Sequence, residues 1–520
     1  MKRIILSMAL LLGMAGAHAQ SKVFREVSSE ISTQFKLITQ DESLIGYLAF
    51  TQLEKVNKDS FNYQVTIMDE NLNDIGKLNF KDKNLELLDV SFEQDILCLA
   101  YVKSDIADVK NTSMKKIRKA MDGSNAVYTQ LVNLKGEILH SSSIPVDLAI
   151  KDEVASVRSV KGSMVVGRLK RGLMMKNIPG KGFACFFGDE EKNTLRVIDI
   201  KGTELWSAKV PDGFGFNMLT TGSDVYLISR ERGSTGQGGW NLRGYAAATG
   251  STYDAIALKD KKGNSLSVIS FENDPRTGRP VLSGDILTKG SESLQTVAQL
   301  KNGYYSGVYS MYLNGPRRSQ VREVYSYWND GSKAPAITAN GKFQEAAAYP
   351  VFAASIRDNQ GNTYFAGPTY IKKAQPGKIV ASVLFSWTLI VPVMLAGTGF
   401  NKAREMPPMV LRQDSLGRIS FTSSIPGNPS RYVPNKAGFG YFPGKAFYKV
   451  SNSEGKANYL IVDASDKAVL YNVDSRKVIR EVPHKSGSTR TYILPAKEGH
   501  IMVVESNTKE KYTKLSIESV

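Results

Sequence analysis

Val197-Ile198-Asp199-Ile200-Lys201-Gly202-Thr203-Glu204-Leu205-Trp206 reads as a short apolar strand, a tight polar turn and a second short strand. β-Branched and aromatic residues favour extended backbone, and an Asp, Lys and Gly cluster between two such runs is the chemistry of a reversal. The unit recurs as Leu131-Val132-Asn133-Leu134-Lys135-Gly136-Glu137-Ile138-Leu139, as Val65 to Met68 followed by Gly76 to Phe80, and as Leu411 to Phe421. Weaker copies run from Tyr325 to Ile337 and from Leu470 to Val482.

A second pattern accompanies the first: a polar turn ending in Asp, Gly or Asn, then a hydrophobic strand. Gln94-Asp95 before Ile96 to Tyr101, Gly222 to Ser229, Gly361 to Ala366 and Gly499 to Val504 all match it. Alternation of the two patterns is what antiparallel four-stranded sheets arranged around an axis produce, because each sheet needs hairpin turns at regular intervals. The reading is therefore all-β, a β-propeller of about six to seven irregular four-stranded blades over residues 20–520, with tandem β-sandwich domains as the alternative. The hairpins at Lys135 to Leu139 and Lys201 to Trp206 resemble those of secreted bacterial β-propeller-like proteins of the broad quinoprotein-like and WD40-like class. The resemblance implies fold alone. The chain has no Trp-Asp blade ending, Kelch double glycine or quinoprotein tryptophan motif, so no ligand carries over.

The 520 residues, 42% hydrophobic and 22% charged, exclude a disordered or collagen-like chain. Two cysteines and four histidines exclude a disulfide scaffold and argue against a multi-zinc protein. Residues 1–19 (MKRIILSMALLLGMAGAHA) combine two positive charges, an apolar run from Ile4 to Met14 and Ala17-His18-Ala19 before Gln20. They read as a signal peptide. Gln20 stands where a lipidated cysteine would be needed, so the expectation is an exported periplasmic or extracellular protein that is not a lipoprotein. Cys98 and Cys185 sit in apolar runs and are expected to be buried thiols, a bridge between neighbouring strands being the alternative.

Lysines and arginines number 67 against 50 aspartates and glutamates, a formal charge of +17, and the basic residues are unevenly placed. KNTSMKKIRK (110–119) carries Lys115, Lys116, Arg118 and Lys119, with Met114, Ile117 and Met121 at helical spacing, so a short amphipathic helix is expected there. Arg168, Lys170, Arg171, Lys176 and Lys181 form a second basic group. These residues are candidate contacts for an acidic glycan, an anionic lipid or an envelope protein. Nucleic acid is not expected, because the aromatic residues lie within strands rather than between basic ones. Residues 379–400 (IVASVLFSWTLIVPVMLAGTGF) carry no charge. Their length suits a membrane span, but Pro392, Gly397 and Gly399 and their place between two β units favour an apolar insertion holding Trp387, Leu389 and Val391.

Catalytic signatures are scarce. The chain has no phosphate-loop, nucleophile-elbow or His-Glu-x-x-His motif, and His140, His484 and His500 are far apart. Asp69 to Asp74 offers oxygens at alternate positions but lacks the glycine and closing glutamate of a calcium loop, so it reads as a hairpin turn. Gly233 to Gly239 reads as a flexible loop. No cofactor and no metal site are expected. Three roles follow: a binding or scaffold propeller at the cell envelope, a propeller enzyme acting on polysaccharide or peptide, or membrane association through residues 379–400.

Overall fold

The computed structural model describes residues 20–25, 32–40, 43–57, 60–103, 126–146, 173–188, 193–211, 213–233, 236–274, 276–288, 305–329, 337–339, 341–344, 347–374, 401–425, 446–450, 458–463, 467–507 and 509–520. These residues form eight antiparallel sheets, each built from strands consecutive in sequence, with one exception. From the axis outward, blade 1 is Ser32–Gln40, Ser43–Asn57, Ser60–Asp69 and Asp74–Lys83, and blade 2 is Leu85–Glu93, Ile96–Lys103, Ala126–Asn133 and Ile138–Pro145. Blade 3 is Met174–Ile178, Gly182–Gly188, Asn193–Asp199 and Glu204–Val210, and blade 4 is Phe214–Thr220, Asp224–Gly233, Gly236–Ala246 and Ile256–Ala257. Blade 5 is Ser270–Asn273, Pro280–Leu287, Tyr305–Leu313 and Val321–Tyr327. Blade 6 is Ala354–Arg357 with Tyr349–Pro350, Thr363–Ala374, Asn401–Gln413 and Ile419–Ser424. Blade 7 is Ala446–Val450, Tyr459–Asp463, Lys467–Asn472 and Lys477–Pro483.

Blade 8 is the exception. Lys485–Ser486 and Thr489–Pro495 lie innermost, His500–Asn507 and Tyr512–Ser519 follow, and the outermost strand is Gln20–Arg25 from the other end of the described chain. Its register runs from Gln20 opposite Ile517 to Arg25 opposite Tyr512. The ring is thereby closed by backbone hydrogen bonds as well as by packing. The fold is a β-propeller, which sets aside the tandem sandwich, and it has eight blades rather than six to seven.

Eight hydrophobic clusters fill the eight seams. Leu48, Phe50 and Tyr63 meet Leu85, Leu97 and Tyr101 between blades 1 and 2, for example, and Tyr47, Ala49 and Met68 meet Met502, Leu515 and Ile517 between blades 1 and 8. Central strands are thus covered on both faces, which is why Gly182–Gly188 (GFACFFG) is an unbroken apolar run. Outermost strands face water on one side, and Ile138–Pro145 alternates accordingly.

Antiparallel order places the first-to-second turn of every blade, and the third-to-fourth turn of blades 1 to 7, at one end of the ring, the turn face. The strand ends that lead from second to third strands and from blade to blade lie at the other end, the connection face. Four of the hairpins read from sequence (69–74, 133–138, 199–204 and 413–419) are third-to-fourth turns, and the Leu470 to Val482 copy is another. All four copies of the second pattern are first-to-second turns with the strand that follows. Tyr325 to Ile337 is not a hairpin: Tyr325 to Tyr327 end the outermost strand of blade 5. The irregular spacing comes from the long stretches of sequence that follow Lys103, Pro145, Leu287, Ala374 and Ser424, strand ends that all lie on the connection face. Gly233 to Gly239 is a hairpin between long strands rather than a loop, with Gly233 opposite Gly236 and Arg232 opposite Gln237.

Candidate binding site on the axial strands

Innermost strands of successive blades touch one another from blade 1 to blade 5 and from blade 6 to blade 8, so these strands, with the polar side chains they carry, border the central opening. In blades 1 to 4 most of those groups are tied across seams. Lys36 Nζ of blade 1 donates to the Leu88 carbonyl of blade 2 at 2.8 Å. A register shift between Leu87 and Asp89 turns the Asp89 carboxylate toward blade 3. There it accepts the Met175 N–H at 2.9 Å, besides the Val90 N–H of its own strand. Glu93, only 2% exposed, accepts from Asn177 Nδ2 at 3.0 Å and from the Gly180 N–H at 2.9 Å. The Thr220 hydroxyl of blade 4 donates to the Asn177 carbonyl, and Lys181 Nζ donates to the Gly222 carbonyl.

These bonds define what the wall can do. Burial pushes the Asp89 carboxyl above the usual range, while Lys176, the Met175 and Val90 amides and Lys36 pull it back. Asp89 and Glu93 spend their oxygens on amide donors, all of them from the next blade except the Val90 N–H, which makes them seam fasteners rather than an acid and base aimed at a substrate. The groups that remain exposed on axial strands include Lys176 of blade 3 and Arg490 and Tyr492 of blade 8, the tyrosine 42% exposed. An ammonium, a guanidinium and a phenol supply hydrogen-bond donors and an aromatic face, a set suited to holding an anion or an acidic sugar.

Other candidates are accounted for differently. No group of three His, Cys, Asp or Glu able to hold a metal occurs among the described residues. Asp69 caps its own hairpin, accepting the Asn71 and Asn73 N–H groups at 2.8 Å and Asn73 Nδ2 at 2.9 Å. Cys98 and Cys185 are free and buried in one cluster between blades 2 and 3. Burial pushes the Cys98 thiol well above its ordinary value and the Cys185 thiol up to about 12, so neither is a ready nucleophile. His140 lies on an outer strand of blade 2, and His484 and His500 flank strands of blade 8.

Of the residues singled out in the sequence, Lys176 and Lys181 are placed by the structure. Lys115, Lys116, Arg118, Lys119, Arg168, Lys170, Arg171, Trp387, Leu389 and Val391 lie outside the described residues, as do residues 1–19, where a leader is expected. No helix among the described residues is long and apolar enough to cross a membrane. Asp89, Glu93, Asn177, Arg490 and Tyr492 were not legible as site residues. Their roles depend on the neighbouring blade, which no local motif encodes.

Residues 1–149 match the model of a family of unknown function, DUF6770. No curated protein matches the chain. Solved structures similar to it include the β-propeller domain of the Trilobed protease from Pyrococcus furiosus, 7% identical with a TM-score of 0.36 over 89% of this chain and 97% of that one. The WD40 domain of SCAP from fission yeast is 8% identical with a TM-score of 0.37, covering 96% and 98%. TolB from Acinetobacter baumannii is 12% identical with a TM-score of 0.25, covering 80% of each chain.

Proposed function

We propose that the chain is an exported binding or scaffold propeller of the cell envelope that holds an acidic glycan against its axial strands. The observation that carries this reading is the division of labour on the axial wall. Two of the carboxylates on the axial strands, Asp89 and Glu93, are fastened to backbone amides in a seam, while Lys176 beside them stays exposed. A wall of that kind offers positive charge and fixed donors without a free acid–base pair. The basic residues Lys115, Lys116, Arg118, Lys119, Arg168, Lys170 and Arg171 belong to connections whose flanking strands end on the connection face. They add to the attraction for an acidic ligand through long-range steering.

The test is binding of the mature chain, residues 20–520, to polygalacturonate, with neutral dextran and anionic phospholipid vesicles as comparisons. Binding to polygalacturonate that weakens at least tenfold in a Lys176→Glu/Arg490→Glu variant of unchanged thermal stability is the expected result. Equal retention on neutral dextran, a preference for vesicles, or indifference to the double substitution would overturn the reading.

A further inference from the structure

A second cationic site lies on the turn face, away from the axial wall, where blades 5 and 6 meet. Three separate elements converge there: Arg276 and Arg279 come from the first turn of blade 5, Arg322 from the start of its outermost strand, and Arg357 from the first turn of blade 6. The carboxylates of these turns are Asp274 and Asp358, so four guanidinium groups face two carboxylates. Asp358 is already committed, accepting the Gln360 and Asn362 N–H groups, Asn362 Nδ2 and the Tyr364 hydroxyl.

The arginines are held rather than loose. Arg276 grips Asp274 through Nε at 3.3 Å and Nη2 at 3.1 Å, while Arg357, 4% exposed, lies 3.8 Å from the same carboxylate. Arg357 Nη1 also donates to the Tyr312 hydroxyl at 3.1 Å, and its Nη2 is buried without a partner among the described residues. Arg322 stacks on the Tyr312 ring, its Cζ 3.8 Å from the centroid. Arg279 Nη1 donates to Asn314 Oδ1 at 2.9 Å. Gly361 leaves room for the arrangement: a Cβ there would strike the Arg276 guanidinium. Arg279 and Arg322 are exposed and have no carboxylate partner among the described residues.

We infer that this turn-face cluster is a binding site for a tetrahedral oxyanion, a phosphate or sulfate group, either free or carried on a larger molecule. The two carboxylates leave half of the cluster's positive charge unbalanced. Planar guanidinium forks presented by adjacent elements match a group that offers several oxygens at once. Arg279 and Arg322, on one face of blade 5, are the direct ligands, with Arg276 behind them, while Asp274 and Tyr312 fix the framework. The site is separate from the axial wall and stands or falls independently of the function proposed for it.

The experiment is thermal unfolding of the mature chain in inorganic phosphate or sulfate against sodium chloride of equal ionic strength, with binding followed by calorimetry. A saturable rise in melting temperature with phosphate or sulfate, absent with chloride, is expected. An Arg279→Ala/Arg322→Ala variant with the parent's melting temperature in chloride should bind at least tenfold more weakly, and Lys176→Glu should bind as the parent does. Dextran sulfate binding at least tenfold more tightly than inorganic sulfate assigns a polymer-borne group; comparable binding assigns the free ion. No stabilisation beyond chloride, or an undiminished response in the double variant, would overturn the proposal whatever the fate of the axial site.

Discussion

Asp89 shows how one side chain can serve a seam and still cost stability when ionised. Burial, its largest influence, raises the folded-state value above that of the unfolded chain. Between those two values the folded protein holds the proton and the unfolded chain has lost it, so the contribution of Asp89 improves as pH falls through the folded value. Asp274 and Asp414 have the opposite sign. Their burial is outweighed, by the Arg276 bonds in one case and by the Arg418 amide and guanidinium and the Leu416 amide in the other. Their stabilisation is present at neutral pH and disappears on acidification through their lowered values. Asp89→Asn, which keeps an acceptor for the Met175 N–H without the charge, is therefore expected to cost less than about 0.5 kcal/mol at pH 7.5 or to stabilise. Any advantage over the parent should shrink toward pH 5. Urea unfolding at the two pH values measures it, and a marked loss at pH 7.5 would show that the charge itself holds the seam.

At the scale of the hairpin, one device is used repeatedly. Asp199 accepts the Lys201 N–H at 2.9 Å and the Thr203 N–H at 2.8 Å, and Gly202 closes the turn with φ +87°. Asn133, Asp260, Asp358 and Asp414 repeat the arrangement with Gly136, Gly263, Gly361 and Gly417. Gly202→Ala should destabilise by about 1–2 kcal/mol from the left-handed backbone alone, and further because a Cβ there overlaps the His140 ring of blade 2. Chemical denaturation should show a loss larger than that of Gly263→Ala, whose Cβ would meet open space. This local chemistry made the strands and hairpins legible, since each turn carries its acceptor and its glycine within five residues. The candidate sites were less legible. Lys176 stood out within a basic group, but Arg276, Arg322 and Arg357 meet only because two blades lie side by side. Tyr312, between two of them, looks like any strand tyrosine.

For the whole molecule, the blade number was obscured by geometry rather than by weak strands. Long connections interrupt blades 2, 5 and 6 between their second and third strands, so the copies of a repeat fall at uneven intervals. Blade 8 has no third-to-fourth hairpin to read, because Gln20–Arg25 supplies its outer strand from elsewhere in the sequence. Deleting residues 20–25 from a chain that spans 20–520 should lower the melting temperature and leave Tyr512–Ser519 as an open edge prone to pairing with another molecule. Calorimetry and light scattering would check this; a monomer with the parent's melting temperature would mean that seam packing alone closes the ring.

That clasp also imposes an order on assembly. A strand near the beginning of the chain must wait for Tyr512–Ser519, and seven intervening blades have time to form before their meeting. Until then the early strand is free to find the corresponding edge of a second chain. Crowding during folding would therefore favour exchanged pairs, each ring clasped by its neighbour's strand, over separate rings. Such dimers would bury the same contacts as the monomer and, once formed, would come apart only as slowly as blade 8 unzips.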